Sequence, residues 1–367
     1  MTRPLRIGID ARELLGDATG VGRYLSELLT RWTARPDAAR RRFVLYTPER
    51  LSSSLPREAI DLRLVGAGAG RGTWWEQTHL GRAVRRDPID VFFAPAYTAP
   101  IGTPVPLAVT IHDISFVAHP EWFRPREGLR RRWLTRRAAH NAAVVFTDSQ
   151  FSRSEIEARL DVDPSRIVVI PPGVTDRRDH ALDRASRDPM VLFVGSLFNR
   201  RRLPDLIAAF AQATTDLPSA RLVIVGGDRT WPRQDLLSVA ATHGVEARTD
   251  FRRYAPDCEL QALYGRASVF AFLSEYEGFG MTPLEALSAG VPPVVLDTAV
   301  AREVYGNAAI FVARDDVTGA AAALRRLLVE PSSAAPILAS APAILGRYSW
   351  DAAADRTLEH IERIARR

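Results

Sequence analysis

Short apolar runs rich in valine and isoleucine alternate with longer stretches of helical periodicity from one end of this chain to the other. A strand apolar on both faces belongs inside a sheet covered on both sides, and the helix after it is the crossover that returns the chain parallel. The pattern predicts an α/β protein built from βαβ units. In the first half the strand-like runs are Leu5–Ile9, Arg42–Tyr46, Val91–Phe93, Leu107–Thr110, Val144–Thr147 and Ile167–Ile170. In the second half they are Met190–Val194, Arg221–Val225, Val269–Leu273 and Pro293–Leu296. Two domains are expected, because 367 residues exceed the roughly 250–300 at which one hydrophobic core stops growing.

The break falls at Pro171-Pro172-Gly173 and the charged stretch up to Asp188-Pro189. This gives a first domain over 1–172, a linker over 173–188, a second domain over 189–348 and a terminal helix over 349–367. That helix carries Ala354, Leu358, Ile361 and Ile364 on one face behind a Ser349-Trp350-Asp351 capping signal. It either packs on the second domain or crosses back to brace the first.

Composition narrows the class. No apolar run approaches the roughly 18 residues needed to span a bilayer, and no leader-like segment opens the chain, so a cytoplasmic enzyme is expected. The single cysteine, Cys258, excludes an internal disulfide framework and a multi-cysteine metal site. The net charge of +6 comes from a chain whose 49 basic residues are all arginine. That is the coding bias of a GC-rich gene, and without a recognisable motif or interleaved aromatics it does not make a nucleic-acid binder.

The chemistry is concentrated in Phe272-Leu273-Ser274-Glu275-Tyr276-Glu277-Gly278-Phe279-Gly280-Met281-Thr282-Pro283-Leu284-Glu285-Ala286. This reads as a strand, a glycine-bearing loop and a helix beginning at Thr282. Thr282 suits the cap, Pro283 the first helical position and Glu285 the acid of a capping box. Backbone N–H groups around Gly278, Phe279, Gly280, Met281 and Thr282 suit a diphosphate or sugar oxygens. Glu285 is explained equally by capping and by ligand binding. Glu277 is explained by neither capping nor core packing, and it follows a strand's carboxyl end, where open α/β sheets bind ligands.

This stretch resembles the Glu-x7-Glu signature of the retaining GT-B glycosyltransferases of the family 4 type, with Glu277 and Glu285 at the required spacing. Ile7–Arg12 followed by Gly20-Val21-Gly22-Arg23-Tyr24, then Trp75-Glu76-Gln77, Ala94–Tyr97, Thr110–Asp113 and Ile170–Val174, match the same family in order. The resemblance covers nearly the whole chain. It implies two doubly wound, Rossmann-like domains facing a cleft, the first on the acceptor side and the second binding the nucleotide sugar. It also implies a donor-sugar contact for His112, although a lone histidine in a strand-end loop is more often a structural one. Asp113 either orients that ring or caps the next turn. Glu277 is assigned to the donor sugar, Glu285 to the ribose, and Gly20 and Gly22 to a loop approaching the donor or acceptor.

The phosphate element follows the second domain's first strand, at Val194–Arg202. The family commonly has arginine after the glycine and lysine five positions later; here Ser196 and Arg201 stand there. Arg201 keeps the cation and the reach, and Arg200 is placed to compensate for Ser196. The expected reaction is retaining, metal-independent transfer of a hexose from a nucleotide diphosphate sugar, with no cofactor and with GDP-mannose slightly favoured. The acceptor is a saccharide, a lipid-linked glycan or a small molecule. Leu129–Leu134 with Arg130, Arg131, Arg132, Arg136 and Arg137 reads either as a helix packed on the core or as a basic amphipathic surface resting on the inner face of a membrane. A nucleotide-sugar epimerase, a non-glycosidic coupling enzyme and a silent nucleotide-binding subunit remain as alternatives.

Overall fold

A computed structural model of the chain describes residues 3–16, 20–51, 59–177 and 187–366. Residues 178–186 of the expected linker lie outside the described residues. The chain forms two compact units, one comprising residues 1–118, 126–173 and 349–367, the other 119–125 and 174–348.

The first unit holds a seven-stranded sheet of β1 (Leu5–Asp10), β2 (Arg41–Thr47), β3 (Ile60–Leu64), β4 (Val91–Ala94), β5 (Leu107–Thr110), β6 (Val144–Thr147) and β7 (Ile167–Val169). The second holds a six-stranded sheet of β8 (Asp188–Val194), β9 (Arg221–Val225), β10 (Thr249–Arg252), β11 (Ala267–Phe272), β12 (Pro293–Leu296) and β13 (Ile310–Val312). The orders are β3-β2-β1-β4-β5-β6-β7 and β10-β9-β8-β11-β12-β13. Every pair in both sheets is parallel. Each sheet therefore reverses direction once, between β1 and β4 in the first and between β8 and β11 in the second. At such a point the two flanking crossovers leave on opposite faces and a crevice opens beyond the strands' carboxyl ends.

Three strands went unread in the sequence: β3, β10 and β13. All three are sheet edges. β3 carries Asp61 and Arg63 on a largely exposed strand, β10 carries Asp250 and Arg252, and β13 is a three-residue run flanked by alanine. Edge strands tolerate charge and shortness that a central strand does not, so the apolar signal is diluted there.

The C-terminal helix, Trp350–Ala365, belongs to the first unit. Ser349 caps it, its hydroxyl accepting from the Ala352 N–H. Ala354, Leu358, Ile361 and Ile364 are buried, and the indole of fully buried Trp32 donates to the Ala354 carbonyl at 2.8 Å. Arg41 pairs with Glu362, and Arg356 donates to the Val169 carbonyl at 3.0 Å. Gly173 makes the approach possible. A Cβ there would lie 2.2 Å from the backbone nitrogen of Trp350, which no side-chain adjustment relieves. Among the described residues no single helix is long and apolar enough to cross a membrane.

Gly173→Ala is expected to lower the stability of the first unit by about 2–3 kcal/mol, the scale of an overpacked contact. Urea unfolding together with hydrogen exchange over residues 350–365 measures it. Unchanged protection of that helix would show that the contact at Gly173 does not hold it.

Candidate functional site

In the second unit the loops after β8 and β11 meet at the order reversal. Beyond β8 the chain turns through Gly195 and Ser196 into a short 3-10 turn, Asn199–Arg201, before the helix Leu203–Ala213. Beyond β11 it runs from Leu273 to Gly280 and into the helix Met281–Ser288. The Glu275 N–H donates to the Arg200 carbonyl at 2.9 Å, fastening one loop to the other.

Glu277 is buried at this junction, 9% exposed. The Ser274 hydroxyl donates to its Oε1 at 2.5 Å, Arg201 Nε stands 2.9 Å and Arg200 Nε 3.5 Å from the same oxygen, and Arg201 Nη2 donates to Oε2 at 3.4 Å. Both guanidinium groups also lie over aromatic rings, Arg201 4.4 Å from the centre of Phe272 and Arg200 4.6 Å from that of Phe198. The structure thus brings Glu277, Arg200 and Arg201 together from two separate loops. Ser196 is on the same loop, half-buried, and its carbonyl accepts from the Phe198 N–H.

The helix of the motif starts two residues earlier than the capping argument requires. Met281 and Thr282 are already in its first turn, and the cap position is Gly280, at φ +87° and with no side-chain cap bond. The reason is tertiary. The Tyr305 hydroxyl donates to the Gly280 carbonyl at 2.9 Å and occupies the space a Cβ at 280 would need. Burial first, and the Glu277 carboxylate second, keep the Tyr305 phenol protonated and able to donate. Glu285 is therefore not the acid of a capping box. It is buried, its Oε2 accepting from the Tyr264 hydroxyl at 3.3 Å and standing 3.6 Å from Arg177 Nη2. Gly278 and Phe279 complete the loop, with Phe279 buried edge-on against Tyr348 at 5.0 Å.

In the first unit the reversal lies between β1 and β4. Gly20 and Gly22 do not form a loop: they stand in the first turn of the helix Gly20–Ala34. The apolar period of Tyr24, Leu25, Leu28 and Leu29 carries that helix back over them, and residues 17–19 before it lie outside the described residues. At the carboxyl end of β1, buried Arg12 pairs with Asp10 at 3.0 Å and with Glu76. The Thr98 hydroxyl donates to Glu76 Oε2 at 2.6 Å. Glu76 opens a π-helical turn, Glu76–Leu80, a geometry common at functional positions. Burial pushes the Asp10 carboxyl up to about 6, with Arg12 opposing and Glu76 adding to the rise.

His112 follows β5, and both its ring nitrogens are engaged. Nδ1 is 2.8 Å from Asp148 Oδ2 and Nε2 is 3.0 Å from the Pro95 carbonyl. Tyr24 and Tyr97 pack edge-on to the ring at 5.0 and 5.7 Å. Asp113 does not orient it; Asp113 Oδ1 accepts from the N–H of Ser115 at 2.8 Å and from its hydroxyl at 2.6 Å, capping the next turn. Asp148, which orients the ring, is thirty-six positions away in sequence.

These sheets and loops define the GT-B class. The solved structure of HepE from Anabaena in complex with UDP and glucose superposes with a TM-score of 0.75 at 18% identity, covering 98% of this chain and 99% of that one. The model of glycosyl transferases group 1 matches residues 175–341, and that of glycosyltransferase family 4 matches residues 18–178. The chain belongs to the family 4 glycosyltransferases. It is similar to O-antigen chain mannosyltransferase B of Escherichia coli, 27% identical over 268 residues, which is 68% of each protein. It is also similar to the GDP-mannose:cellobiosyl-diphosphopolyprenol alpha-mannosyltransferase of Komagataeibacter xylinus, 30% identical over 208 residues. That alignment spans 55% of this chain and 52%, about half, of the relative.

Burial opposes a charge on His112, but the carboxylate and hydrogen bond of Asp148, the Pro95 carbonyl and Asp113 outweigh it and raise its pKa above 6.5. The stability His112 adds is complete below the unfolded value near 6.5 and is lost as pH rises through the folded value. The Tm difference between wild type and His112→Gln should therefore be largest near pH 6 and shrink towards pH 9. A difference constant across that range would show that the ring is held neutral.

Proposed function

We propose that this glycosyltransferase moves a hexose from a nucleotide diphosphate sugar to a hydroxyl acceptor with retention of configuration and without a divalent ion. The observation that supports it best is the convergence of Arg200, Arg201 and Glu277 at the β8/β11 reversal, beside the first turn of Met281–Ser288. As the bond to the anomeric carbon breaks, negative charge grows on the leaving diphosphate. Preorganised guanidinium groups and backbone N–H groups stabilise that charge without the reorganisation water would need. Arg200 supplies the second cation that Ser196 cannot. Gly278, Phe279 and Gly280 shape the sugar side of the loop, and Glu277 accepts from donor-sugar hydroxyls in exchange for part of its present pairing. Glu285 accepts from the ribose hydroxyls. His112 serves the sugar as an imidazolium rather than as a base, since both ring nitrogens face acceptors.

GDP-mannose is the favoured donor, on the likeness to two mannosyltransferases, one of them a GDP-mannose enzyme. The acceptor class remains saccharide, lipid-linked glycan or small molecule. A thermal-shift screen with UDP, GDP, ADP and dTDP identifies the base, since a ligand stabilises the state it binds. Arg201→Ala should lower turnover by about 10²–10³-fold, the effect of removing one preorganised donor. Glu277→Ala should lower turnover while sparing affinity for the bare nucleotide, and Glu285→Ala should chiefly raise the donor KM. Transfer should persist in excess EDTA. Activity lost to chelator and restored by magnesium, or nucleotide binding abolished by Glu277→Ala but not by Glu285→Ala, would overturn these assignments.

Peripheral attachment to an anionic membrane is proposed on the helix Pro125–Asn141. Its Leu134, Ala138 and Ala139 are buried, while Leu129 and Trp133, one turn apart, are 63% and 56% exposed among exposed Arg130, Arg136 and Arg137. Arg131 is not part of this face; it stacks on Tyr97 and Phe116 at 4.5 and 4.6 Å. Wild type should float with phosphatidylglycerol vesicles and not with phosphatidylcholine ones, and Leu129→Glu with Trp133→Glu should abolish flotation. Equal flotation of wild type and variant would remove this face from the membrane reading.

A further inference from the structure

Arg177 lies outside every motif singled out in the sequence. Its side chain is nonetheless among the largest wholly buried groups, 1% exposed. A guanidinium is costly to remove from water unless its hydrogen bonds and charge are met inside the protein. Nη2 stands 3.0 Å from Asp257 Oδ1 at the surface and 3.6 Å from buried Glu285 Oε2. The Tyr264 hydroxyl donates to that same Glu285 oxygen at 3.3 Å, and the guanidinium lies 5.5 Å from the centre of the Tyr264 ring.

The backbone around Arg177 is fixed to the same helix. Its N–H donates to Ser288 Oγ at 3.2 Å, and that hydroxyl is 2.8 Å from the Glu285 carbonyl and 3.2 Å from the Thr175 carbonyl. Segment 175–177 is thereby fastened to the last turn of Met281–Ser288 and sends its side chain to the carboxylate which that helix carries. A carboxylate that grips two vicinal hydroxyls needs a counter-charge and a fixed rotamer. Glu285, 3% exposed at its side chain, takes both from Arg177 and Tyr264 rather than from water.

We infer that Arg177 is the positioning residue for nucleoside recognition: by holding Glu285 in place, it sets the preference for a ribose over a deoxyribose in the donor. The inference rests on the ribose role proposed for Glu285. Binding of GDP, UDP and ADP, each against its 2′-deoxy form, is measured by isothermal titration on wild type, Arg177→Met, Arg177→Lys and Glu285→Gln.

In wild type the ribonucleotide that binds should do so about tenfold or more tightly than its deoxy form, the weight of a hydrogen bond to a charged group. In Arg177→Met, as in Glu285→Gln, that ratio should fall to within about twofold of unity, with Arg177→Lys intermediate because lysine has no planar fork. A merely structural loss weakens both nucleotides equally and leaves the ratio alone. Should Arg177→Met fail to fold, Arg177→Lys carries the test, with the ratio expected to drop about threefold. A folded Arg177 variant that keeps the wild-type ratio, while Glu285→Gln loses it, overturns the role of Arg177 and spares that of Glu285. A wild-type protein that does not discriminate, or binds none of the three pairs, overturns the ribose reading and this inference with it.

Discussion

A parallel sheet must bring the chain back to the same end before every strand, so all its strand-to-helix loops open at the opposite end. Both sheets of this protein obey that constraint throughout, and each reverses its strand order once. The candidate donor site is a consequence. Arg200 and Arg201 lie just past β8, Glu277 just past β11, and only the adjacency of those strands brings groups 76 and 77 positions apart to one carboxylate. The Glu275–Arg200 backbone bond then fastens the 3-10 turn that carries both arginines to the loop that carries Glu277.

The central strands were legible because each is a largely apolar, mostly buried run, a pattern that charged or short edge strands do not show. β3, β10 and β13 stayed hidden for that reason, whereas β7, also an edge, was read because Ile167-Val168-Val169 kept the run. Helix starts were less legible than helix bodies. Gly20 and Gly22 looked like a loop because glycine favours one, yet the buried stripe from Tyr24 to Leu29 prevails over that local preference.

In the site, the spacing of Glu277 and Glu285 was legible and their surroundings were not. The capping box at Thr282 was a sound local inference that a distant contact defeats. Tyr305 holds Gly280 in the left-handed region, the helix begins at Met281, and Glu285 is released to pair with Tyr264 and Arg177. His112 shows the same limit: its neighbour Asp113 was the natural partner, but the ring turns to Asp148. Ser274 was inside the quoted motif without a role and proves to be the hydroxyl that fixes Glu277. These partners are set by tertiary proximity, for which sequence spacing carries no signal.

Ser196 stands where the family commonly has an arginine. If arginine at that position were indispensable for the diphosphate, its loss would leave Arg201 as a single mobile cation. Arg200 and Arg201 are instead both held, each against an aromatic ring and each towards Glu277. A guanidinium pinned this way has already lost its rotamer freedom on folding, so binding an anion does not pay that cost again. A carboxylate shared by two such groups is also a better partner for sugar hydroxyls than one committed to a single bidentate pair, because weakening either contact leaves the other in place. On this argument the second arginine does more than replace the missing one. On the roles proposed for these groups, Arg200 keeps Glu277 paired when Arg201 engages the phosphate.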